Sequence, residues 1–193
     1  IASYRSTPDH CAIFGTPDPE QPWTKFADIK CPLTETHRFG EPHITQLPSG
    51  RIVVMCRFTA RAYDDTREDL NLWQTYSDDN GHTWSDPERT SMLGFPPHLT
   101  VLSDGRAVCT YGRRCKPFGE RACISNDGTT WDLANEIILR DDNEGYDLGY
   151  PASIETTPGE VLTVYYQKPK LDPEDKHKYK VGIYSTRWHV GES

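Results

Sequence analysis

Short apolar runs separated by tight polar turns recur along the chain in a fixed order. Gly50, Gly105 and Gly159 each stand in such a turn, and successive glycines are 55 and 54 residues apart. Apolar residues follow each glycine, and a second apolar run comes after a loop, which predicts two further strands in every repeat. The predicted strands are Arg51 to Phe58, Leu70 to Tyr76, Arg106 to Tyr111, Arg121 to Ile124, Val161 to Gln167 and Tyr179 to Tyr184.

A second type of turn recurs in the same order. Ser77–Trp84 reads Ser-Asp-Asp-Asn-Gly-His-Thr-Trp, and Ser125–Trp131 reads Ser-Asn-Asp-Gly-Thr-Thr-Trp. Ser, Asp and Asn side chains form hydrogen bonds with nearby backbone groups, and glycine adopts a positive φ. Both segments are therefore predicted to be turns, and the tryptophan is predicted to pack each turn onto a sheet. The third repeat ends in Ser185–Trp188, which keeps the serine and the tryptophan but lacks the glycine.

Each repeat is thus a strand, a glycine turn, a strand, a loop, a strand, a turn and a short strand. Four antiparallel strands in a unit of this length are typical of a β-propeller blade, so we predict an all-β protein. Blades are predicted at residues 41–95, 96–145 and 146–193, and residues 1–40 as the end of a preceding blade with Tyr4–Pro8 as its third strand. Because a ring needs at least about four blades, we interpret the chain as a partial propeller, the C-terminal half of a protein whose N-terminal blades are missing here.

Composition narrows the range of partners. The net charge of −8 disfavours nucleic acid, and no apolar run approaches membrane-spanning length. The six cysteines follow no zinc-binding spacing. Cys56, Cys109 and Cys123 lie in predicted strands and are interpreted as buried thiols, with a disulfide between Cys109 and Cys123 as the open alternative. Against the acidic background, the segment 111–121 carries four cations and one anion. It links the second and third strands of a blade, and such links lie on the propeller face where ligands usually bind.

The Ser-x-Asp-x-Gly-x-Thr-Trp turn resembles the Asp-box of the sialidases, or neuraminidases, and the resemblance extends over residues 41–188. Members of that superfamily are six-bladed propellers with the box between the third and fourth strands of a blade. The resemblance implies an exo-acting glycoside hydrolase that removes a terminal sialic acid, or a related acidic sugar, with retention of configuration. It implies no cofactor and no metal, and it favours a secreted or periplasmic location.

The chemistry of sialic acid explains which residue types this reaction needs. The sugar carries a carboxylate at its anomeric carbon, and the guanidinium group of arginine binds a carboxylate at two points. A carboxylate nucleophile would be repelled by this substrate, whereas a tyrosine avoids the repulsion if a nearby carboxylate takes its proton. The family accordingly uses three arginines, a Tyr–Glu pair and an aspartic acid as acid/base.

Five residues of this chain match those positions. Tyr150 opens the first strand of the last blade and would be the nucleophile, and Glu41, at the start of another first strand, would be its base. Arg57 ends the next strand, 16 residues after Glu41, and would bind the substrate carboxylate. Arg121 is the first choice for a further carboxylate-binding arginine, and Arg114 is the second. The remaining arginine and the acid/base aspartate belong to the missing blades, so this chain alone is expected to be inactive.

These residues also have structural interpretations. Glu41 and Tyr150 occupy the same blade position, which makes both of them first-strand rim residues, and Arg57 can pair with Asp64 or Asp65 at the surface. Pro151 follows Tyr150 where the family usually has serine, which favours a remodelled pocket and a related acidic sugar. Other polar or aromatic residues in the repeats are interpreted as packing residues: His43, His98, Trp84 and Trp131.

Two other classes of function stay open. One is a non-catalytic Asp-box propeller that binds a glycan or a protein. The other is a propeller glycosidase or lyase that acts on a different polysaccharide. An arginine on the first blade and an aspartate on a nearby loop would favour the sialidase-like enzyme over both.

Overall fold

The computed structural model describes residues 2–4, 10–60, 70–168 and 181–191, and these residues form an all-β protein without helix. Fourteen strands lie within them. The strands are β1 (Ala2–Tyr4), β2 (His10–Gly15), β3 (Thr24–Lys30), β4 (His37–Gln46), β5 (Ile52–Ala60), β6 (Asn71–Ser77), β7 (Glu88–Leu93), β8 (Pro97–Val101), β9 (Ala107–Arg113), β10 (Phe118–Ser125), β11 (Ile137–Asn143), β12 (Gly149–Thr157), β13 (Glu160–Gln167) and β14 (Gly182–His189).

The strands form four antiparallel sheets in chain order. The first sheet is β1–β2–β3, the second β4–β5–β6–β7, the third β8–β9–β10–β11 and the fourth β12–β13–β14. Every strand pairs with the next one along the chain in an antiparallel ladder within its sheet. This arrangement of successive meander sheets confirms the predicted fold class, an open part of a β-propeller.

Three details differ from the predicted repeat. The fourth sheet has three strands, not four, within the described part of the chain. The predicted strand of that repeat ends at Tyr184, whereas β14 continues through Ser185–Trp188 in its ladder with β13, because this segment lacks the glycine that would bend it. Tyr4, predicted within a third strand, ends β1 at the edge of the first sheet, and Arg5–Pro8 lie outside the described residues.

The two aspartate turns close on themselves through their own side chains. In the first turn, Ser77 Oγ accepts a hydrogen bond from Gly81 N at 2.8 Å, and Asp79 Oδ1 accepts one from Thr83 N at 2.8 Å. Hydrogen bonds from Thr83 and Ser77 lower the pKa of Asp79 to about 2. The second turn repeats this pattern around Asp127, whose Oδ1 accepts a bond from the backbone of residue 130 at 2.7 Å. These turns are therefore structural caps at the strand ends.

Apolar side chains fill the spaces between successive sheets. Cys56 and Phe58 pack with the first sheet, and Met55 and Leu72 pack with the third. Between the third and fourth sheets the core comprises Leu102, Val108, Ala122, Leu139, Val161, Trp188 and Val190. Cys109 and Cys123 are both thiols, so the disulfide considered between them is not formed, although the two residues face each other across β9 and β10.

The first strands of neighbouring sheets contact one another, and two histidines join them. Leu99 N on β8 donates a hydrogen bond to His43 Nδ1 on β4 at 3.1 Å, and Ser153 N on β12 donates one to His98 Nδ1 on β8 at 3.4 Å. The two imidazole rings also contact, with centroids 4.2 Å apart. Each histidine thus accepts a bond from the backbone of the next sheet, and it must be neutral to do so.

Acid should therefore weaken the junction between the sheets. Burial, and then the charge of His43, lowers the pKa of His98 from 6.5 to about 4. The unfolded chain binds this proton below pH 6.5 and the folded chain only near pH 4, so the free energy of unfolding falls as the pH drops through that interval. We expect a loss of about 1–2 kcal/mol between pH 7 and pH 4, after allowance for solvent screening.

Urea unfolding of the wild type and of His98→Gln, at pH 7 and pH 4.5, measures this effect. Glutamine offers an acceptor oxygen but does not titrate, so the variant should lose less stability between the two pH values. An equal loss in both proteins would show that His98 does not sense the pH.

Candidate active site

Tyr150 and Glu41 meet at the rim where the first strands begin. Tyr150 Oη donates a hydrogen bond to Glu41 Oε1, although the two residues are 109 positions apart. Both have the left-handed backbone conformation, with φ of 53° at Tyr150 and 44° at Glu41. That conformation is uncommon for residues other than glycine and costs free energy, and such residues cluster at functional sites.

Matching irregularities in two ladders create these conformations. The pairing of β4 with β5 shifts register between Gly40 and His43, and the pairing of β12 with β13 shifts between Gly149 and Ala152. A bulge leaves extra residues unpaired and redirects their side chains. Glu41 and Tyr150 lie in these two bulges, so the same local device turns both side chains towards each other.

Arg57 holds the second oxygen of Glu41. Its Nη1 lies 3.0 Å from Glu41 Oε2, and its Nε donates a hydrogen bond to Thr59 Oγ1 at 2.9 Å. Arg57 stands opposite Gly40 in the ladder between β4 and β5. Glu41 therefore accepts from a phenol and from a guanidinium at once, which fixes the position of its carboxylate.

Arg114 joins this cluster through Phe95. The Phe95 ring centroid lies 3.9 Å from Arg57 Cζ and 4.9 Å from Arg114 Cζ, and Arg114 Nε donates a hydrogen bond to the Phe95 carbonyl at 3.2 Å. Arg114 Cζ also lies 5.8 Å from the centroid of the Tyr150 ring. Two guanidinium groups thus face one region beside the carboxylate of Glu41.

Arg121, the first choice from the sequence, lies elsewhere. Its side chain is 2% exposed, its Nε lies 3.6 Å from Glu136 Oε2, and its Nη1 donates a hydrogen bond to the Glu120 carbonyl at 3.0 Å. Alternation along β10 places it opposite Tyr111, on the side of the sheet that packs against the second sheet. The geometry brings Arg114 rather than Arg121 to Arg57. Asp64 and Asp65, the surface partners considered for Arg57, lie outside the described residues.

Two glycines let the backbones beneath this site approach closely. A Cβ on Gly112 would lie 2.8 Å from Gly149 Cα, and one on Gly149 would lie 3.3 Å from Gly112 Cα. Phe95 N also donates a hydrogen bond to the Gly112 carbonyl at 2.8 Å. The close approach of β9 and β12 places Phe95, Arg114 and Tyr150 next to one another.

A polar group beside Tyr150 was not singled out in the sequence. Asp147 accepts hydrogen bonds from Tyr166 Oη and Lys168 Nζ, and the rings of Tyr150 and Tyr166 have centroids 5.9 Å apart. The bond from Lys168 is the main reason why the pKa of Asp147 is lowered. Asp147 and Lys168 lie in ordinary loop contexts, and Phe95 precedes a proline in a turn, so no motif marks these three residues.

Tyr150 is a neutral phenol that needs a base. Burial of one side, and then the hydrogen bond to Glu41, raises its pKa above the usual value. The side chain is nevertheless 50% exposed, so a ligand can reach it. A phenol that is both accessible and bonded to a carboxylate can become a nucleophile if the carboxylate takes its proton.

Other kinds of site find little support in the described ranges. No cluster of three or more His, Cys, Asp or Glu side chains within them is arranged to hold a metal ion. None of the described segments is a helix of the length and apolar character that crossing a membrane requires.

The sheets and the rim define this chain as part of a β-propeller with a polar cluster at the start of its first strands. No family model and no curated protein matches the sequence. Solved structures do share the fold. A protein of unknown function from Dyadobacter fermentans is similar over 94% of this chain and 45% of its own, with 28% identity and a TM-score of 0.73.

Two similar structures are glycosidases. The NanB sialidase of Streptococcus pneumoniae, as a K499G mutant, is similar over 97% of this chain and 28% of its own, with 16% identity and a TM-score of 0.66. The GH93 alpha-L-arabinofuranosidase of Fusarium graminearum, in complex with arabinobiose, is similar over 94% of this chain and 55% of its own, with 16% identity and a TM-score of 0.62. The chain thus spans about half the length of these structures or less.

The glycine contact beneath the site can be tested by one methyl group. In Gly112→Ala, the new Cβ meets backbone atoms of Gly149 and Phe95 that have no flexible end to move. We expect the free energy of unfolding to fall by roughly 1–3 kcal/mol, as overpacked sites do, when measured by urea unfolding. Gly145→Ala is the matched control, because its Cβ meets no atom within 4 Å. Equal stability of the two variants would contradict the close approach.

Proposed function

We propose that this chain carries part of the active site of an exo-acting, sialidase-like glycoside hydrolase. The enzyme removes a terminal sialic acid or a related acidic sugar from a glycan with retention of configuration. One observation supports the proposal above all others: the hydrogen bond from Tyr150 to Glu41, beside Arg57 and Arg114. A phenol paired with a carboxylate, next to two guanidinium groups, suits an anomeric carbon that itself carries a carboxylate.

The first step forms a covalent intermediate. Tyr150 Oη bonds to the anomeric carbon while its proton passes to Glu41, and the bond from that carbon to the leaving oxygen breaks. The leaving oxygen takes a proton from an acid that the described residues do not include. Arg57 and Arg114 hold the sugar carboxylate, and their charge reduces the repulsion between that carboxylate and Glu41.

The second step releases the sugar. Water bonds to the anomeric carbon on the face that the leaving group occupied, and it gives one proton to the conjugate base of the external acid. The bond to Tyr150 breaks, and Glu41 returns its proton to the phenolate. Two displacements at one carbon give overall retention, and both catalytic residues end in their starting states.

The proposed mechanism needs an acid and a third arginine besides the four residues named above. We propose that N-terminal blades complete the ring and supply the remaining arginine and the acid/base aspartate. Two observations support this view: the sheets form an open part of a propeller, and the chain spans about half or less of the structures similar to it. Catalysis is accordingly a property of the complete protein.

A second candidate is a retaining glycosidase for a neutral sugar. The favouring observation is that Glu41 is held by both Tyr150 and Arg57, which places a fixed carboxylate at the rim. With no carboxylate on the substrate, Glu41 itself can attack the anomeric carbon, and Tyr150 orients it. The structural similarity to an alpha-L-arabinofuranosidase makes arabinofuranosides the natural test substrates for this alternative.

Tyr150→Phe tests the nucleophile in the intact protein. We expect turnover of a fluorogenic sialoside to fall about 10²–10⁴-fold, because the attacking oxygen is gone, while the affinity for free sialic acid changes little. Tyr184→Phe is the control, since it removes a phenol oxygen from β14 on the outer part of the fourth sheet. Sialoside turnover and sialic acid affinity are measured on the same preparation of each protein.

The outcomes separate the candidate functions. A covalent adduct on Tyr150, trapped with a fluorinated sialic acid and located by mass spectrometry, would support the proposal. Turnover of an aryl arabinofuranoside that Glu41→Gln abolishes and Tyr150→Phe only slows would favour the neutral-sugar enzyme. Sugar binding without turnover of either substrate would make the protein a binding propeller.

A further inference from the structure

A buried carboxylate behind the site has no hydrogen-bond partner. Glu120 on β10 has no exposed surface, and neither oxygen of its carboxylate bonds to any of the described residues. Gln167 on β13 is equally buried, and its amide nitrogen and oxygen also lack partners within the described ranges. Buried polar groups are almost always hydrogen-bonded, so these two residues call for an explanation.

Both residues lie between the third and fourth sheets at the level of the active-site rim. Glu120 is on the same side of β10 as Ala122, which packs in the core shared with the fourth sheet. Glu120 pairs with Gly112, Gly112 touches Gly149, and Gly149 pairs with the residue before Gln167. Glu120 on β10 therefore lies next to Gly112 on β9, which makes the glycine contact that positions Tyr150 and Arg114.

Arg114 is the cation that can interact with the Glu120 carboxylate. The charges of Arg114 and then Arg121 act on Glu120, but the two arginines differ in their hydrogen bonds and ion pairs. Arg121 lies 3.6 Å from Glu136 and bonds to backbone carbonyls. Arg114 donates to one carbonyl and has no ion pair with any described residue. Its charge acts on Glu120 on one side and on Asp147, which is already paired with Lys168, on the other.

Two ion pairs lie on the adjoining elements. Arg140 and Asp142 form an ion pair on β11, and Asp147 and Lys168 form one at the edge of the fourth sheet. Among the described residues, Arg114 and Arg121 are the charged side chains that act on Glu120. The net charge behind the active-site rim therefore depends on Glu120, Arg114 and any anion that binds at the rim.

We propose that Glu120 is a positioning residue for Arg114, and that the proton on Glu120 determines how strongly Arg114 binds the carboxylate of an acidic sugar. The inference rests on the proposed function, in which Arg114 binds that carboxylate. With Glu120 neutral, the guanidinium is free to bind the substrate. With Glu120 ionised, the buried carboxylate and the substrate compete for one positive charge.

The direction of the pH effect follows from the burial. Burial raises the pKa of Glu120 to about 8, although Arg114 and Arg121 act in the opposite sense. At neutral pH most of the protein holds a proton on this residue, and an anion bound at Arg114 favours that state further. Affinity for an acidic sugar should thus fall as the pH rises through about 8, and binding above that pH should take up a proton.

Isothermal titration calorimetry with N-acetylneuraminic acid and D-glucuronic acid, at pH 6.5 and pH 9, tests the coupling in the intact protein. We expect the affinity of the wild type to fall by about fivefold to tenfold between the two pH values, with proton uptake visible in buffers of different ionisation enthalpy. Glu120→Gln, which keeps the shape and cannot ionise, should bind equally at both pH values. Glu160→Gln removes a half-buried carboxylate on β13 that pairs with Arg187, and this variant should behave like the wild type. A pH dependence that Glu120→Gln retains overturns the proposal.

A second experiment needs no sugar. A glutamate whose pKa is raised on folding destabilises the protein progressively as the pH rises from 4.5 to about 8, because the unfolded chain releases the proton first. Urea unfolding across that interval should show this decline as the difference between the wild type and Glu120→Gln, because the opposite contribution of His98 is common to both proteins and cancels. Arg114→Met should move the end of the decline to higher pH, since it removes the nearby positive charge.

The two experiments fail in distinguishable ways. If neither sugar binds, the proposed function fails, while the unfolding profiles still decide whether Glu120 and Arg114 are coupled. If the decline is present but Arg114→Met leaves its position unchanged, the positioning role of Glu120 is wrong, whatever the substrate is.

Discussion

The contact between Gly112 and Gly149 is the constraint on which the rim of this molecule depends. Two strands of different sheets can approach to backbone distance only where neither residue has a side chain. That approach lets the backbone before β8 bond to Gly112 at 2.8 Å, so Phe95 lies under both guanidinium groups. The polar cluster is thus a consequence of packing between the sheets, and it needs no specialised loop to hold it.

The groups at the rim differ in their exposure. Tyr150 is half exposed, Glu41 and Arg57 are partly buried, Arg114 is buried, and Glu120 has no exposed surface and no hydrogen-bond partner among the described residues. Charges influence one another more strongly where little water separates them, which is why we propose that a residue that no ligand touches affects the affinity for an anion.

The sequence predicted the elements that depend on local chemistry. Glycine turns and apolar runs indicated the sheets, and the resemblance to the sialidases, together with blade position, predicted that Glu41 and Tyr150 meet. The choice between Arg114 and Arg121 could not be made in this way, because it depends on strand alternation in β10, and the predicted start of that strand, Arg121, is three residues later than its actual start at Phe118. Phe95 and Glu120 were missed because their roles come from contacts between sheets, which no repeat pattern records.

The left-handed backbone at Tyr150 and Glu41 has a consequence for selection experiments. Glycine or asparagine would adopt that conformation at lower cost, so a search for thermostable variants should repeatedly accept those residues at the rim. The gain in melting temperature would come with the loss of the phenol and the carboxylate. Stability and chemistry thus compete at two identifiable positions of this protein, and a library that holds these two positions constant would avoid the conflict.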